Sequence, residues 1–396
     1  MLQPESQNIA PRRFVLLALG FRPFFLLAAA FAVALMTQWV LTYAGNREFA
    51  NYYGVIGWHS HEMIFGYTVA VIAGFLLTAV RNWTDIQTAA GVSLAGLSAL
   101  WIVARFMPYF PGAFPLWVIA GMDIAFLPTL TTALAIPLLR SGQRRNLIFL
   151  FLLIALTVAN ILVHIELLGY TPGTARAGTF LGLNLVVLLI VIMGGRVIPF
   201  FTERAISGAT PKRWPAIEWL STASALLFLL SDLLPPNSLV AGGLAALATV
   251  SNGIRLLGWY TNRYWSVPLL WVLHMGYAWI VVGFCLRALA AIGLIPPQFT
   301  IHAFTVGGIG VLTLGMMARV SLGHTGRPLK TSTVVALAFV LINLAAVVRG
   351  ILPVIFPQWL TQLVALSGSL WVAAFAIFLV IYIPILTHPR IDGRPG

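Results

Sequence analysis

The sequence predicts an all-α polytopic membrane protein of about twelve transmembrane helices, and two observations lead to this prediction: its composition and its long apolar runs. Of the 396 residues, 60% are hydrophobic and only 8% are charged, and the mean hydropathy is +0.95. A soluble globular protein needs a more polar surface than this composition provides. The chain therefore belongs to the class of proteins that fold within the bilayer.

Twelve apolar runs have the length needed to cross the hydrocarbon core, which takes about 20 helical residues. They lie at 14–43, 57–80, 88–107, 114–139, 146–169, 177–200, 215–233, 238–258, 266–293, 299–322, 331–351 and 361–386. The first run is too long for a secretory signal, so we interpret it as a retained helix. Because the connections are short, we interpret residues 1–396 as a single integral membrane domain.

The basic residues predict how these helices are oriented. When the N-terminus and every second loop are assigned to one side, 18 of the 23 lysines and arginines fall there, and only Arg47, Arg105, Arg176, Arg287 and Arg349 fall opposite. Cytoplasmic loops are the basic ones, so we expect both termini in the cytoplasm. The net charge of +13 indicates attraction to anionic membrane lipid. No basic face with interleaved aromatic residues is present, so nucleic acid is not expected as a partner.

A polar cluster, Trp58-His59-Ser60-His61-Glu62-Met63, stands at the mouth of the second apolar run. Ionisable groups are costly in lipid and mark functional sites by default. The alternative is an ordinary helix start, capped by polar residues at the water interface. The single cysteine, Cys285, excludes an internal disulfide and any Cys-rich metal site. Any bound metal must therefore use histidine.

The predicted topology concentrates ligands and proton carriers in the outer half of the membrane. The second and tenth helices begin on the outer side and the fifth ends there. The side chains placed near that face are those of His59, His61, Glu62, Asp123, His164, Glu166 and His302. His274 lies instead in the inner half of the ninth helix. We interpret it either as a satisfied core histidine or as a contact to a metal or a quinone.

The second and tenth helices share a weak internal similarity. Counting +5, +13 and +23 residues from His61 gives Gly, Gly and Thr, and the same offsets from His302 give the same three residue types. Glycine is common in membrane helices, so coincidence is the alternative to a true repeat. In a true repeat, the two histidines face a shared interior at one depth.

Two imidazoles at equal depth on separate helices can ligate a haem iron from its two faces. The histidines in question are His61 and His302, and small residues below His61, such as Gly66 and Gly74, leave room for a flat macrocycle. Close helix packing explains the small residues equally well. Arg105, Arg287 and Arg349 lie near the outer face as candidate partners for haem propionates, or as snorkelling interface residues.

His59 and His61 are two residues apart, which on an α-helix separates them by about 200°. We therefore expect them to serve different sites. One serves the haem, and the other joins His164, with Glu62 or Glu166, in a second metal site. Imidazole-rich sites suit copper, iron or zinc, and a carboxylate among the ligands favours iron.

Several longer segments together resemble the NnrS family. They are 20–25 (Gly-Phe-Arg-Pro-Phe-Phe), 58–66, 73–79, 82–84, 273–279 and 316–328. The resemblance covers essentially the whole chain. It implies a bacterial inner-membrane protein that carries haem and copper and is linked to nitric oxide metabolism, in denitrification and in defence against nitrosative stress. One departure is Val80-Arg81-Asn82, where the family pattern has a proline before Asn-Trp-Thr.

The outline also resembles the catalytic subunit of haem-copper oxidases, which has twelve helices with haem ligands on the second and the tenth. That superfamily places copper-binding histidines on its sixth and seventh helices. Here the sixth helix offers Asn184 and Arg196, and the seventh has no histidine. The resemblance therefore extends to the repeated helical arrangement and not to the copper site.

The leading hypothesis is a haem b protein that binds and reduces nitric oxide, a metal-dependent oxidoreductase similar to nitric oxide reductase. Electrons come from quinol or from a redox protein, and Glu62, Asp123 and Glu166 are placed to deliver protons from the outer side. A membrane transporter is a second hypothesis, because intramembrane ionisable residues also mark transport pathways. A non-catalytic nitric oxide sink or sensor is the third.

Overall fold

The computed structural model describes residues 15–45, 49–232 and 238–394, and twelve long helices account for most of these residues. They are α1 Phe21–Tyr43, α2 Val55–Thr84, α3 Val92–Phe106, α4 Leu116–Arg140, α5 Ile148–Leu167, α6 Thr174–Ala205, α7 Pro215–Asp232, α8 Leu239–Gly258, α9 Pro268–Ala291, α10 (Ala303–Gly310 continued by Val311–His324), α11 Thr333–Gly350 and α12 Leu360–Thr387. The described residues contain no strand. The all-α prediction is confirmed, with one helix for each predicted run.

Eleven of the twelve helices are long and apolar enough to cross a membrane. The twelfth is α7, an 18-residue helix that carries Glu218 and Asp232 and packs between α6 and α8. The chain is thus a multi-pass membrane protein. The single domain and the cytoplasmic termini stay predictions. Arg47 and the start of the first predicted run at residue 14 lie outside the described residues.

Three helices, α2, α6 and α10, lie at the centre of the bundle. They are the most buried of the candidate spans, at 94%, 72% and 78% of their most apolar stretch, and all three contact one another. The other helices surround them, each packed against its neighbour in sequence, and α12 closes on α1. The chain therefore returns to the centre at every fourth helix. This recurrence agrees with a repeated arrangement, while its likeness to the oxidases stays a prediction.

Both α2 and α10 contain a π-helical segment at the same position. In α2 it covers Glu62–Thr68 and starts directly after His61, and in α10 it covers Ala303–Gly310 and starts directly after His302. π-Helical turns are rare and are frequent at functional sites. The equivalence that the +5, +13 and +23 offsets suggested thus has a structural counterpart. The hydroxyls of Tyr67 and Thr313 join the two helices at a separation of 2.5 Å.

We expect Gly307→Ala to destabilise the protein. The added Cβ would lie 2.5 Å from Cγ of Trp279, whose indole donates a hydrogen bond of 3.1 Å to Asn343 and is therefore held in place. Overpacking of this kind costs about 1–3 kcal/mol. The measurement is the melting temperature of the purified protein in detergent.

The matched control is Gly243→Ala on the exposed surface of α8, where the new Cβ meets no atom within 4 Å. Alanine is the better helix former by about 1 kcal/mol, so this variant should melt at the wild-type temperature or slightly above it. Equal melting temperatures for both variants would contradict close packing at Gly307.

Candidate functional site

A buried group of polar side chains lies at one end of the bundle, between α2, α3, α4 and α5; we call it the Arg105 cluster. Every member is at most 4% exposed. Its members are His61, Glu62, Arg105, Asp123, Asn160 and His164. Four separate helices therefore contribute ionisable or amide groups to one site within the membrane.

Arg105 holds this cluster together by pairing with two carboxylates. Its Nη1 donates to Glu62 Oε2 at 2.6 Å, and its Nη2 donates to Asp123 Oδ1. The guanidinium also lies over the ring of Trp101, at 5.9 Å from its centroid. With both histidines neutral, the cluster carries one more negative than positive charge. A proton or a metal cation would offset this excess, which is costly in a medium of low dielectric constant.

Asp123 contacts the imidazoles of both His61 and His164. Its Oδ2 lies 3.2 Å from His61 Nε2 and 2.9 Å from His164 Nε2. Ligand atoms from these three residues all lie within 4.8 Å of one another, so the three residues could hold a metal ion. His61 Nδ1 lies 3.3 Å from Glu62 Oε1, which makes Glu62 an outer partner of the same site.

The tautomer of His164 follows from its neighbours. Because an ionised Asp123 only accepts hydrogen bonds, His164 Nε2 must carry the proton between them, and Nδ1 is then an acceptor. Tyr52 supplies the matching donor, its hydroxyl lying 3.2 Å from Nδ1. Burial raises the pKa of Tyr52 to about 12, so this phenol keeps its proton at neutral pH. Binding of a metal at His164 Nε2 would displace the proton and leave the bond to Tyr52 intact.

A second group, which we call the His59 cluster, consists of His59, His302 and Arg349. His59 stacks on Trp39 of α1 with ring centroids 3.9 Å apart and an interplanar angle of 13°. His302 lies close enough to both His59 and Arg349 for their charges to repel one another if all were protonated. In the described part of the chain, His59 Nδ1, His302 Nδ1 and Arg349 Nη1 are buried and have no hydrogen-bond partner. Buried polar atoms nearly always have a hydrogen-bond partner. Three buried atoms without one in the same place therefore indicate that a ligand binds there.

His59 and His61 have different neighbours in the structure, while the sites that they serve stay predictions. His59 is the histidine beside His302, whereas His61 turns towards Asp123 and His164. The physical reason is the separation of about 200° between residues two apart on a helix. Once His61 packs against α4 and α5, His59 faces the opposite way, towards α10.

The remaining candidates lie elsewhere. Arg287 pairs with Asp232, to which Asn184 also donates at 3.1 Å, in a third polar group between α6, α7 and α9. Glu166 accepts a hydrogen bond of 2.7 Å from the backbone of Ala175 at the start of α6, outside the Arg105 cluster.

His274 is held rigidly within α9. Its Nδ1 lies 3.0 Å from the carbonyl oxygen of Leu270, and its ring stacks on Tyr264 at 4.4 Å. Its Nε2 is buried and has no partner within the described residues. Both interpretations of His274, as a core histidine and as a contact to a ligand, are therefore compatible with its surroundings.

Sequence reasoning missed several partners of the cluster. Asn160 donates to Asp123 at 2.7 Å and contacts His61, and Tyr53 stacks on His61 with centroids 4.1 Å apart. Asn160 and His164 are four residues apart, and this spacing places both on one face of a helix. That spacing was the available signal for Asn160, while no comparable signal marked Tyr53.

Two comparisons with known proteins bear on the site. The model of a family described as NnrS protein matches residues 15–390, which is nearly the whole chain. Among proteins of curated function no match is found.

Removal of the charge of Arg105 should destabilise the protein strongly. Arg105→Met leaves Glu62 and Asp123 buried without their shared cation, and loss of one partner of a buried ion pair costs about 3–5 kcal/mol. The triple variant Arg105→Met/Glu62→Gln/Asp123→Asn removes the charges together and should melt above the single variant. Thermal unfolding in detergent measures both, with Arg140→Met, an exposed arginine at the end of α4, as the control. If Arg105→Met melts like wild type, Arg105 is not the organising charge.

Proposed function

We propose, on the premise that the chain belongs to the NnrS protein family, that it binds nitric oxide at a metal centre that includes haem b and removes it by reduction. The family is associated with the response to nitric oxide and with a metal-related function. The observation that carries the proposal is the pair of histidine clusters at one end of the bundle. One offers orphaned nitrogens, and the other offers a buried His-Asp-His group.

The His59 cluster has the chemistry to hold a haem. His59 and His302 offer imidazoles from two helices, each with a buried nitrogen that has no partner among the described residues. Arg349 offers an unpaired guanidinium nitrogen for a propionate. We therefore assign His59 and His302 as haem ligands, in place of His61 and His302. When bound, the haem would supply a redox-active iron that passes electrons to the second metal site described next.

The Arg105 cluster has the chemistry to hold a second metal. His61, Asp123 and His164 would be its ligands, and the presence of a carboxylate favours iron over copper. Glu62 and Tyr52 contact the remaining nitrogens of the two imidazoles and orient them. Arg105 keeps both carboxylates in place.

Reduction of nitric oxide consumes protons as well as electrons. Glu62, which contacts His61 beside the proposed metal, is the proposed proton carrier of the cluster, with Asp123 in that role while no metal is bound. Glu166, half-buried two residues after His164, is the proposed point of entry. We further propose that quinol or a redox protein is the electron donor. The proposed location is the bacterial inner membrane, where lipid surrounds the bundle and both termini lie in the cytoplasm.

The haem assignment is tested by absorption spectroscopy of purified variants. His59→Ala and His302→Ala should each lose most of the Soret band, because each removes one of the two proposed ligands. His61→Ala and His274→Ala should keep it. A Soret band that survives His59→Ala and is lost in His61→Ala would restore the pairing predicted from sequence and overturn this one.

The number of nitric oxide molecules consumed per protein distinguishes an enzyme from a protein that only binds nitric oxide. With ascorbate and a mediator as reductant, the wild-type protein should consume many equivalents of nitric oxide at an electrode. His164→Ala should lower the rate by about 100-fold while haem is retained, since loss of metal-site residues acts on that scale. Metal analysis should show the second metal reduced in parallel, and His388→Ala in the exposed tail serves as the control. Consumption of a single equivalent by wild type would leave only a sink or a sensor.

A further inference from the structure

A large cavity opens at the end of the bundle opposite the two histidine clusters. Its volume is about 1390 Å³, and its wall is built from α2, α6, α7, α8, α10 and the connection between α4 and α5. On α2 the wall extends to Asn82, which at 1.5 Å per residue lies about 30 Å along the helix from His61. Nothing in the proposed chemistry of nitric oxide uses this cavity.

Positive charge dominates the polar lining. Five arginines contribute to it, namely Arg144, Arg145, Arg196, Arg213 and Arg255, against the single carboxylate of Glu218. Glu218 pairs with Arg255, and Arg213 pairs with Glu203 at 2.7 Å on the surface. Two of the five arginines are therefore already neutralised by carboxylates of this chain.

The other three arginines line the cavity without a carboxylate partner among the described residues, Arg144 and Arg145 from exposed positions at its mouth. Arg144, Arg145 and Arg196 form no ion pair with any carboxylate in the described ranges 15–45, 49–232 and 238–394. Arg196 is half-buried, donates to Asn146 Oδ1 at 3.0 Å, and interacts electrostatically with Arg145. Like charges held together at the mouth of a cavity create a strongly positive potential, which an anion would relieve.

Behind the arginines the cavity becomes apolar. Phe75, Met193 and Val197 line it and also line a second, smaller cavity of about 90 Å³ between α2, α6 and α10. Among the described residues that line this inner cavity, only Thr68 and Thr313 have polar side chains. Both hydroxyls already donate within their own helices, to the carbonyl oxygens of Met63 and Ile309. The basic cavity thus continues into a narrow apolar slot at the centre of the bundle.

We propose that this cavity is a binding site for an amphiphilic anion. A phosphate or carboxylate head lies between Arg144, Arg145 and Arg196, and an apolar chain extends past Phe75 and Val197 towards the central slot. Arginine suits such a head group because its planar guanidinium can donate two parallel hydrogen bonds to the oxygens of a phosphate or a carboxylate. A phospholipid of the bilayer and a free fatty acid share this chemistry.

The test is native mass spectrometry of the full-length protein in neutral detergent, titrated with phosphatidylglycerol, oleate, phosphatidylcholine and inorganic phosphate. We expect one molecule of phosphatidylglycerol or oleate to be retained at least 10-fold more tightly than phosphatidylcholine or inorganic phosphate. The tighter of the two anions identifies the source. Equal retention of phosphatidylcholine would overturn the role of the arginines, and equal retention of inorganic phosphate would overturn the role of the apolar slot.

Variants separate a built site from general attraction to a basic surface. Arg145→Gln/Arg196→Gln should weaken retention of the anion about 10-fold or more. Arg140→Gln/Arg204→Gln removes the same charge from exposed positions outside the cavity and should leave retention unchanged. Equal weakening by both pairs would overturn the proposal. Melting temperatures confirm that each variant is folded, and the Soret band should be unaffected in all of them, so this result is independent of the haem assignment.

Discussion

Ionised groups that are buried in the membrane need partners of opposite charge, and this structure depends on that constraint. Arg105 is the residue that supplies the partner for two buried carboxylates. One guanidinium pairs with carboxylates from α2 and α4, so three helices are fixed relative to one another by two ion pairs. Because both carboxylates are taken, Arg105 has little capacity left for a ligand. Both Arg105 Nε and Arg349 Nη1 lack a partner in the described structure, but only Arg105 is already paired with carboxylates there, so Arg349 is the arginine better placed to serve a cofactor.

The same principle recurs around the bundle. Each central helix contributes to a polar group at this end: α2 through Glu62 and, in another group, His59, α6 through Asn184 and α10 through His302. Each group also contains one arginine. Carboxylates pair with the arginines of the Glu62 and Asn184 groups, whereas no carboxylate among the described residues pairs with Arg349 of the His302 group. A site whose donors and acceptors remain unpaired is the one that requires something from outside the chain.

The helices were predictable from the sequence because apolar runs of sufficient length have few alternatives in a membrane. The sequence also suggested a likeness between α2 and α10, and in the structure a π-helical segment follows the aligned histidine in each of them. Which histidine faces which site was not readable. That outcome depends on contacts with Asn160 and Asp123, and their helices are distant in sequence. The partner of Arg287 was not readable for a related reason, because a lone arginine near a helix end does not reveal a carboxylate such as Asp232 on another helix.

The two ends of the bundle are suited to different ligands, and an apolar slot at the centre separates the two ends. The Arg105 and His59 clusters occupy one end, and Arg144, Arg145 and Arg196, which pair with no carboxylate among the described residues, line the cavity at the other. No ionisable side chain of the described residues lines the slot between them, and its two hydroxyls are already hydrogen-bonded, Thr68 within α2 and Thr313 within α10 and to Tyr67. A charged head therefore stops at the arginines, since transfer of an ion into such a slot would cost many kcal/mol. A small neutral molecule meets no such barrier, so the composition of the slot alone is sufficient to separate the two kinds of ligand.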